Sequence, residues 1–249
     1  MLAPYWRAPL NADTFWNRNV SPELENEGFV LARGVVGEPQ RRALLYAVSE
    51  ELLASPVRHR AGSAFAARGL LWKARALAPL LDSCGITQLA SRLLGRQAFA
   101  IDATYFDKHA RANWTVPGHQ DRVVPVADNP PCKHRVRDTV AYSEPDAGAL
   151  AALVALRIHF DDTDADTGAL CLVPGSHRSG VLTTAQILGV PLDRYLPCVA
   201  GAGDVLALRP LLLHRSSPSR GEGQRRVLHV LYAFGEPGFG IRWRRTAIG

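Results

Sequence analysis

The chain has no Cys-x-x-Cys pair. Its four cysteines, Cys84, Cys132, Cys171 and Cys198, stand far apart, so the spacing of a structural zinc site is missing. It also has no long apolar run. The longest, residues 147–156, is too short to cross a bilayer. Met1 to Leu10 lacks the continuous apolar core of a secretory signal. A cytoplasmic protein with reduced thiols is the expectation. Repeats, low-complexity segments and long basic runs are absent as well. The net charge of +6 and the pI near 9.5 come from scattered arginines. That disfavours nucleic acid as a partner and suits an anionic small molecule. The carboxylates Asp161, Asp162, Asp164 and Asp166 lack the spacing of a calcium loop and read as a solvated loop. Oligomeric state is not legible.

What is present is ordinary material for one large core. Hydrophobic residues make up 47% of 249 residues and charged residues 21%. A single domain over 1–249 is expected. Residues 1–96 form an N-terminal part, 97–234 a β-rich core and 235–249 a tail. Trp6, Phe15 and Trp16 are candidate anchors onto the body. Residues 28–36 read as a strand. Leu44, Leu45, Val48, Leu52 and Leu53 recur at spacings of three and four, which predicts a helix over 39–53 with one apolar face. A second helix is expected over 78–94, stopped by Gly95. From residue 97 the pattern changes to short apolar runs between turn residues, at 98–106, 115–126, 150–160, 169–173, 204–208 and 227–234. That pattern predicts a sandwich or barrel of antiparallel strands. The polar, proline-containing section 122–149 reads as a long loop and a candidate lid. Its Lys133, Arg135 and Arg137 hint at an anionic substrate.

One short stretch carries chemistry. His119-Gln120-Asp121 follows the turn residues Pro117-Gly118. On an extended strand, residues i and i+2 share a face, so His119 and Asp121 aim at one point while Gln120 faces away. An imidazole and a carboxylate at one point make two-thirds of the triad that holds non-haem iron(II). The apolar run before His214 supplies a second histidine at the end of a buried strand. His119, Asp121 and His214 are the candidate metal ligands.

The wider sequence resembles the phytanoyl-CoA dioxygenase family in four blocks, in the family's order. The first joins Phe106-Asp107-Lys108, Asn113-Trp114 and His119-Gln120-Asp121. The second runs from Leu156-Arg157-Ile158-His159-Phe160-Asp161-Asp162 to Thr167-Gly168 and Pro174-Gly175-Ser176-His177. The last two are Leu212-Leu213-His214-Arg215-Ser216 and Arg225-Arg226-Val227-Leu228-His229. The resemblance implies a double-stranded β-helix, or jelly roll, with N-terminal helices packed on it. It also implies iron(II), 2-oxoglutarate and dioxygen, with the same three residues as ligands.

It further implies an arginine for the distal carboxylate of 2-oxoglutarate, about eleven residues past the second histidine. That spacing selects Arg225, with Arg226 as the alternative on the opposite strand face. Ser216 can hydrogen-bond the same carboxylate. Lys108 matches a family lysine near the cavity mouth, with a surface role equally open. Arg157 and His159 share a strand face and can reach the site or make structural bonds. His177 reads as part of a turn. Gly118 stands where relatives carry a large aromatic, which would open space near the metal.

The implied activity is hydroxylation of an unactivated C–H in a small, anionic metabolite, with release of succinate and carbon dioxide. Asp121 speaks against halogenation, because related halogenases lack this carboxylate. Desaturation or cyclisation by the same cofactors is the alternative. A non-enzymatic metal-binding jelly roll is the further one.

Overall fold

The protein is described from a computed structural model. The structure describes residues 21–54, 58–60, 63–110, 112–127, 133–137, 140–220, 223–238 and 241–245. Trp6, Phe15, Trp16 and Cys132 lie outside them, as does the side chain of Arg137.

The first half runs α1 (Ser21–Glu27), β1 (Phe29–Ala32), α2 (Glu38–Ala54), β2 (Arg58–Arg60), β3 (Ser63–Ala67), α3 (Leu70–Lys73), α4 (Leu77–Ser83) and α5 (Ile86–Leu94). The second half adds β4 (Phe99–Lys108), β5 (Val116–His119), β6 (Val124–Val126), β7 (His134–Arg137), β8 (Val140–Ser143), α6 (Ala147–Ala151) and β9 (Leu153–His159). It ends with β10 (Leu170–Leu172), α7 (Thr184–Leu188), β11 (Leu196–Pro197), β12 (Val205–Leu208), β13 (His214–Ser216) and β14 (Arg225–Ala233).

Seven strands form one sheet in the order β1-β12-β9-β14-β4-β3-β2, and four form a second, β11-β10-β13-β5. Every pairing in both is antiparallel. The large sheet is covered on both faces. On one side Leu156, Ile158, Leu228, Val230 and Tyr232 pack under helical residues such as Leu44, Val48, Leu81 and Leu89. On the other, Ala155, Leu206, Leu208 and Leu231 meet Leu170, Leu172 and Leu212 from the smaller sheet and its flank. Each fully buried leucine or isoleucine contributes about 2 kcal/mol. Two facing antiparallel sheets with helices on the outside make a mainly β, jelly-roll architecture, as expected.

Local departures have local causes. The expected helix over 78–94 is two, because Gly85 turns left-handed (φ 74°) between α4 and α5. Gly95 does end α5, at φ 66°. The apolar run at 150–160 opens with the short helix α6, whose start is fixed by the Asp146 side chain accepting from the Ala149 N–H at 2.8 Å. The strand expected over 115–126 is interrupted after His119. Section 122–149 is not a structureless loop. It holds β6, β8 and β7, paired in that order as a third sheet. Its edge strand β7 exposes His134, Arg135 and Val136, and an exposed edge has the polar pattern of a loop.

One glycine is fixed by close approach. Gly203 sits at φ 92°, and a Cβ there would lie 2.4 Å from the Val36 carbonyl oxygen. Replacing it with alanine adds left-handed strain to a backbone clash. Gly203→Ala is expected to destabilise the fold by about 2–4 kcal/mol in chemical denaturation. A loss below about 0.5 kcal/mol would contradict this turn geometry.

Candidate metal centre

β5 and β13 are neighbours in the small sheet, and their register sets His119 directly opposite His214. The ring centroids are 4.2 Å apart. Asp121 lies just past the end of β5, where its N–H donates to the Pro210 carbonyl at 2.8 Å. Gln120 faces away, as strand alternation requires. Its amide donates to the carbonyls of Leu211 (2.7 Å) and Gly180 (2.8 Å), and its oxygen accepts from the Leu182 N–H at 2.8 Å. The two ligand-bearing segments are therefore tied by backbone and by side chain.

The three side chains have ligand atoms within 4.8 Å of one another. Asp121 Oδ1 is 3.6 Å from His119 Nε2, and Oδ2 is 3.6 Å from His214 Nε2. Each ring turns its Nδ1 to a carbonyl two residues earlier, Pro117 at 2.9 Å and Leu212 at 2.8 Å. A carbonyl can only accept, so each Nδ1 carries the hydrogen and each Nε2 presents a lone pair. In the neutral rings, two imidazole lone pairs then face the carboxylate. Such a donor set fits a divalent cation, and the outer carbonyls fix the ring orientation a metal requires. Without a cation, burial pushes His214 down to about 4. For His119, burial pulls down but Asp121 more than offsets it, so its value ends above the ordinary one. Asp121 is held well below the carboxylate range, because the rings of His214, His119 and His229 outweigh its desolvation.

These residues open onto a cavity of about 340 Å³. Its floor is the inner face of β4, β14 and β9. Arg225 lies there, 3% exposed. Arg226 points the other way and forms a two-point ion pair with Asp161, at 2.6 and 2.9 Å. Asp161 is therefore not a solvated loop carboxylate. Ser216 also lines the cavity, and its hydroxyl accepts from Lys108 Nζ at 3.1 Å. Lys108 is fully buried rather than at the surface, and also donates to the Ser217 carbonyl at 2.7 Å. Gly168 lets that carbonyl approach, since a Cβ there would lie 2.7 Å from it. Asn113 clips the same turn by exchanging two hydrogen bonds with Ser219, at 2.7 and 2.8 Å.

Other sequence candidates sit elsewhere. Lys133 and Arg135 are exposed, and Arg135 pairs with Glu144 at 3.6 Å. Neither lines the cavity; the Arg137 side chain lies outside the described residues. Gly118 opens no space, because the Tyr195 hydroxyl stands 2.5 Å from where its Cβ would be, with Ile187 at 3.3 Å. His177 bonds the Glu25 carbonyl at 3.0 Å and holds α1. Three cavity residues carried no sequence signal as site residues: His229, Asp102 and Arg68. His229 Nε2 is 4.0 Å from Asp121 Oδ2, and its Nδ1 accepts from Arg157 at 3.1 Å.

Residues 25–227 match the family described as phytanoyl-CoA dioxygenase (PhyH). The chain belongs to the phytanoyl-CoA dioxygenase family. No curated protein matches it by sequence. Solved structures share the fold. EvdMO1 superposes with a TM-score of 0.64 at 20% identity, over 86% of this chain and 49% of that longer one, so the chain spans about half its length. SnoK, a non-haem α-ketoglutarate-dependent carbocyclase from nogalamycin biosynthesis, gives 0.67 at 16% identity, over 93% and 88%. EctD from S. alaskensis, solved with 2-oxoglutarate and 5-hydroxyectoine, gives 0.65 at 14% identity, over 86% and 74%. EctD has also been solved with bound Fe. Among the described residues, no helix of this family member is long and apolar enough to cross a membrane.

Lys108 gives the site a measurable cost. Burial, together with the nearby Arg225 and Arg157, lowers its pKa to about 7. A depressed lysine pKa means the folded state disfavours the proton that the unfolded chain keeps. The penalty is full below pH 7 and fades as pH rises toward the ordinary lysine value. Lys108→Met is expected to stabilise the metal-free protein by about 1–2 kcal/mol at pH 6 and to lose that gain by pH 10. Denaturation curves at both values test it, and an equal effect at both would contradict it.

Proposed function

We propose that this chain is an iron(II)- and 2-oxoglutarate-dependent dioxygenase. It hydroxylates an unactivated C–H bond of a small, anionic metabolite and releases succinate and carbon dioxide. One observation carries the reading: a single cavity is lined by the His119, Asp121 and His214 donor set and by Arg225 and Ser216, and the buried Lys108 donates to that Ser216. Family membership supports the general reaction class.

In this reading His119, Asp121 and His214 would hold the iron at the wall of the cavity they line. Iron with 2-oxoglutarate and dioxygen supplies the oxidising power for the C–H bond. Arg225 receives the distal carboxylate of 2-oxoglutarate through its planar fork. Burial lowers its pKa to about 9, with Arg157 adding to the effect, so it stays charged at neutral pH. Ser216 and Lys108 add donors at the same end. Phe106, Trp114, Val116, Leu170 and Leu231 line the cavity and exclude water around the reacting bond. The cations Arg157 and Arg225 bias the interior toward anionic guests. The likeness to SnoK, a carbocyclase, supports cyclisation as a second outcome of the same machinery, decided by where the substrate places its bond.

Succinate release from 2-oxoglutarate separates the two arginines. Arg225→Met is expected to raise the half-saturating 2-oxoglutarate concentration by about 10–100-fold, the loss of one charge-assisted pair. Arg226→Met should leave it within about twofold and instead lower stability by about 1 kcal/mol. If Arg226→Met weakened 2-oxoglutarate and Arg225→Met did not, the assignment would be reversed.

A further inference from the structure

Two charged side chains in the cavity wall form no direct ion pair among the described residues. Arg157 on β9 is 6% exposed. Its only side-chain hydrogen bond among the described residues goes to the neutral ring of His229. Its Nε is buried without a partner. Asp121 is the carboxylate that acts on it, and it already faces His119 and His214. Asp102 on β4 has its Oδ1 buried without a partner. Burial raises its carboxyl to about 6, and a cation beside it would favour the ionised form. The cation that acts on it, Arg68, is exposed and forms no ion pair with it.

Strand register places the two groups. Arg157, His229 and Thr104 lie side by side on β9, β14 and β4. Asp102 is one step further along, opposite Leu231. Arg157 and Asp102 are therefore diagonal neighbours across β14, about 10 Å sideways and about 7 Å lengthwise at the backbone. Arg225 and Lys108 pair with each other two steps in the opposite direction. The cavity floor thus reads, in order, co-substrate end, Arg157 at the level of Asp121, and Asp102 at the far end.

An uncompensated buried charge is costly, and such charges gather where a ligand completes them. Arg157 lacks an anion. Asp102 accepts from the Ala103 N–H but keeps Oδ1 free, and an ammonium satisfies both its charge and that oxygen. We propose that the substrate is a small dipolar molecule. Its anionic group pairs with Arg157, its ammonium group, a few bonds away, pairs with Asp102, and the C–H bonds between them face His119, Asp121 and His214. This rests on the oxygenase reading and adds a cationic end to the anionic substrate.

The test uses full-length protein loaded anaerobically with iron(II) and 2-oxoglutarate. The probes are glycine, β-alanine, 4-aminobutyrate, 5-aminopentanoate and 6-aminohexanoate, each beside its N-acetyl and methyl-ester derivative. Binding is read by saturation-transfer NMR and calorimetry. At least one free amino acid is expected to bind, with blocking of either end weakening it tenfold or more. Asp102→Asn should abolish the preference for the free amine and keep that for the free acid. Arg157→Gln should do the reverse, and Arg157→Lys should restore part of the acid preference.

If no member binds, or blocked and free forms bind alike, the dipolar substrate is overturned while the oxygenase reading stands. If Arg157→Gln and Arg157→Lys weaken 2-oxoglutarate instead, Arg157 serves the co-substrate and the proposal is also overturned. Failure of wild-type protein to bind 2-oxoglutarate with iron(II) would sink the oxygenase reading itself.

Discussion

The pairing of β5 with β13 is the constraint on which the site depends. These strands have only four and three residues, yet their register puts His119 against His214. Asp121 completes the set because its N–H is held by Pro210, four residues before His214. Gln120, facing away, joins the same two segments through its side chain. Three lone-pair donors held together without a proton to share are destabilising in themselves. The surrounding hydrogen bonds oppose their separation, and a divalent cation relieves the repulsion.

The second constraint is β14. It pairs with β4 on one side and β9 on the other, so its inward residues lie in one row across the cavity floor. Arg225, His229 and Leu231 point inward, and Leu228, Val230 and Tyr232 pack under the helices. A sheet buried on both faces can hold charges at fixed depth, and it spends stability to do so. Arg157 lowers the proton affinity of Lys108 and Arg225, and Arg225 lowers that of Lys108. An anion bound in the cavity would offset that cost for Arg157 and Arg225, which line it.

Much of this was legible in the sequence where physics is local. The His-x-Asp spacing on extended backbone and the histidine closing an apolar run need only strand alternation, and the three residues do converge. The strand-rich texture after residue 97 likewise follows from short apolar runs between turns. What stayed hidden depends on the other side of a contact. Val227, His229 and Leu231 against Leu228, Val230 and Tyr232 gave no face to choose between Arg225 and Arg226, because both faces of β14 are covered. For Lys108 the cavity mouth and the surface stayed equally open, since nothing local shows that Ser216 and Ser217 receive its ammonium. Asp102 and Arg157 lie 55 positions apart, and only the sheet order makes them neighbours. Gly118 pointed to open space that Tyr195, from a distant turn, fills.

The most direct measurement is anaerobic titration of the metal-free protein with iron(II) and then 2-oxoglutarate, followed by visible absorption. Wild type should develop the weak charge-transfer band of the iron–2-oxoglutarate chelate. His119→Ala should lose the band and Arg225→Met should weaken it, both in folded protein. A folded, iron-loaded wild type with no band on adding 2-oxoglutarate would contradict the account and leave a metal-binding jelly roll without this co-substrate.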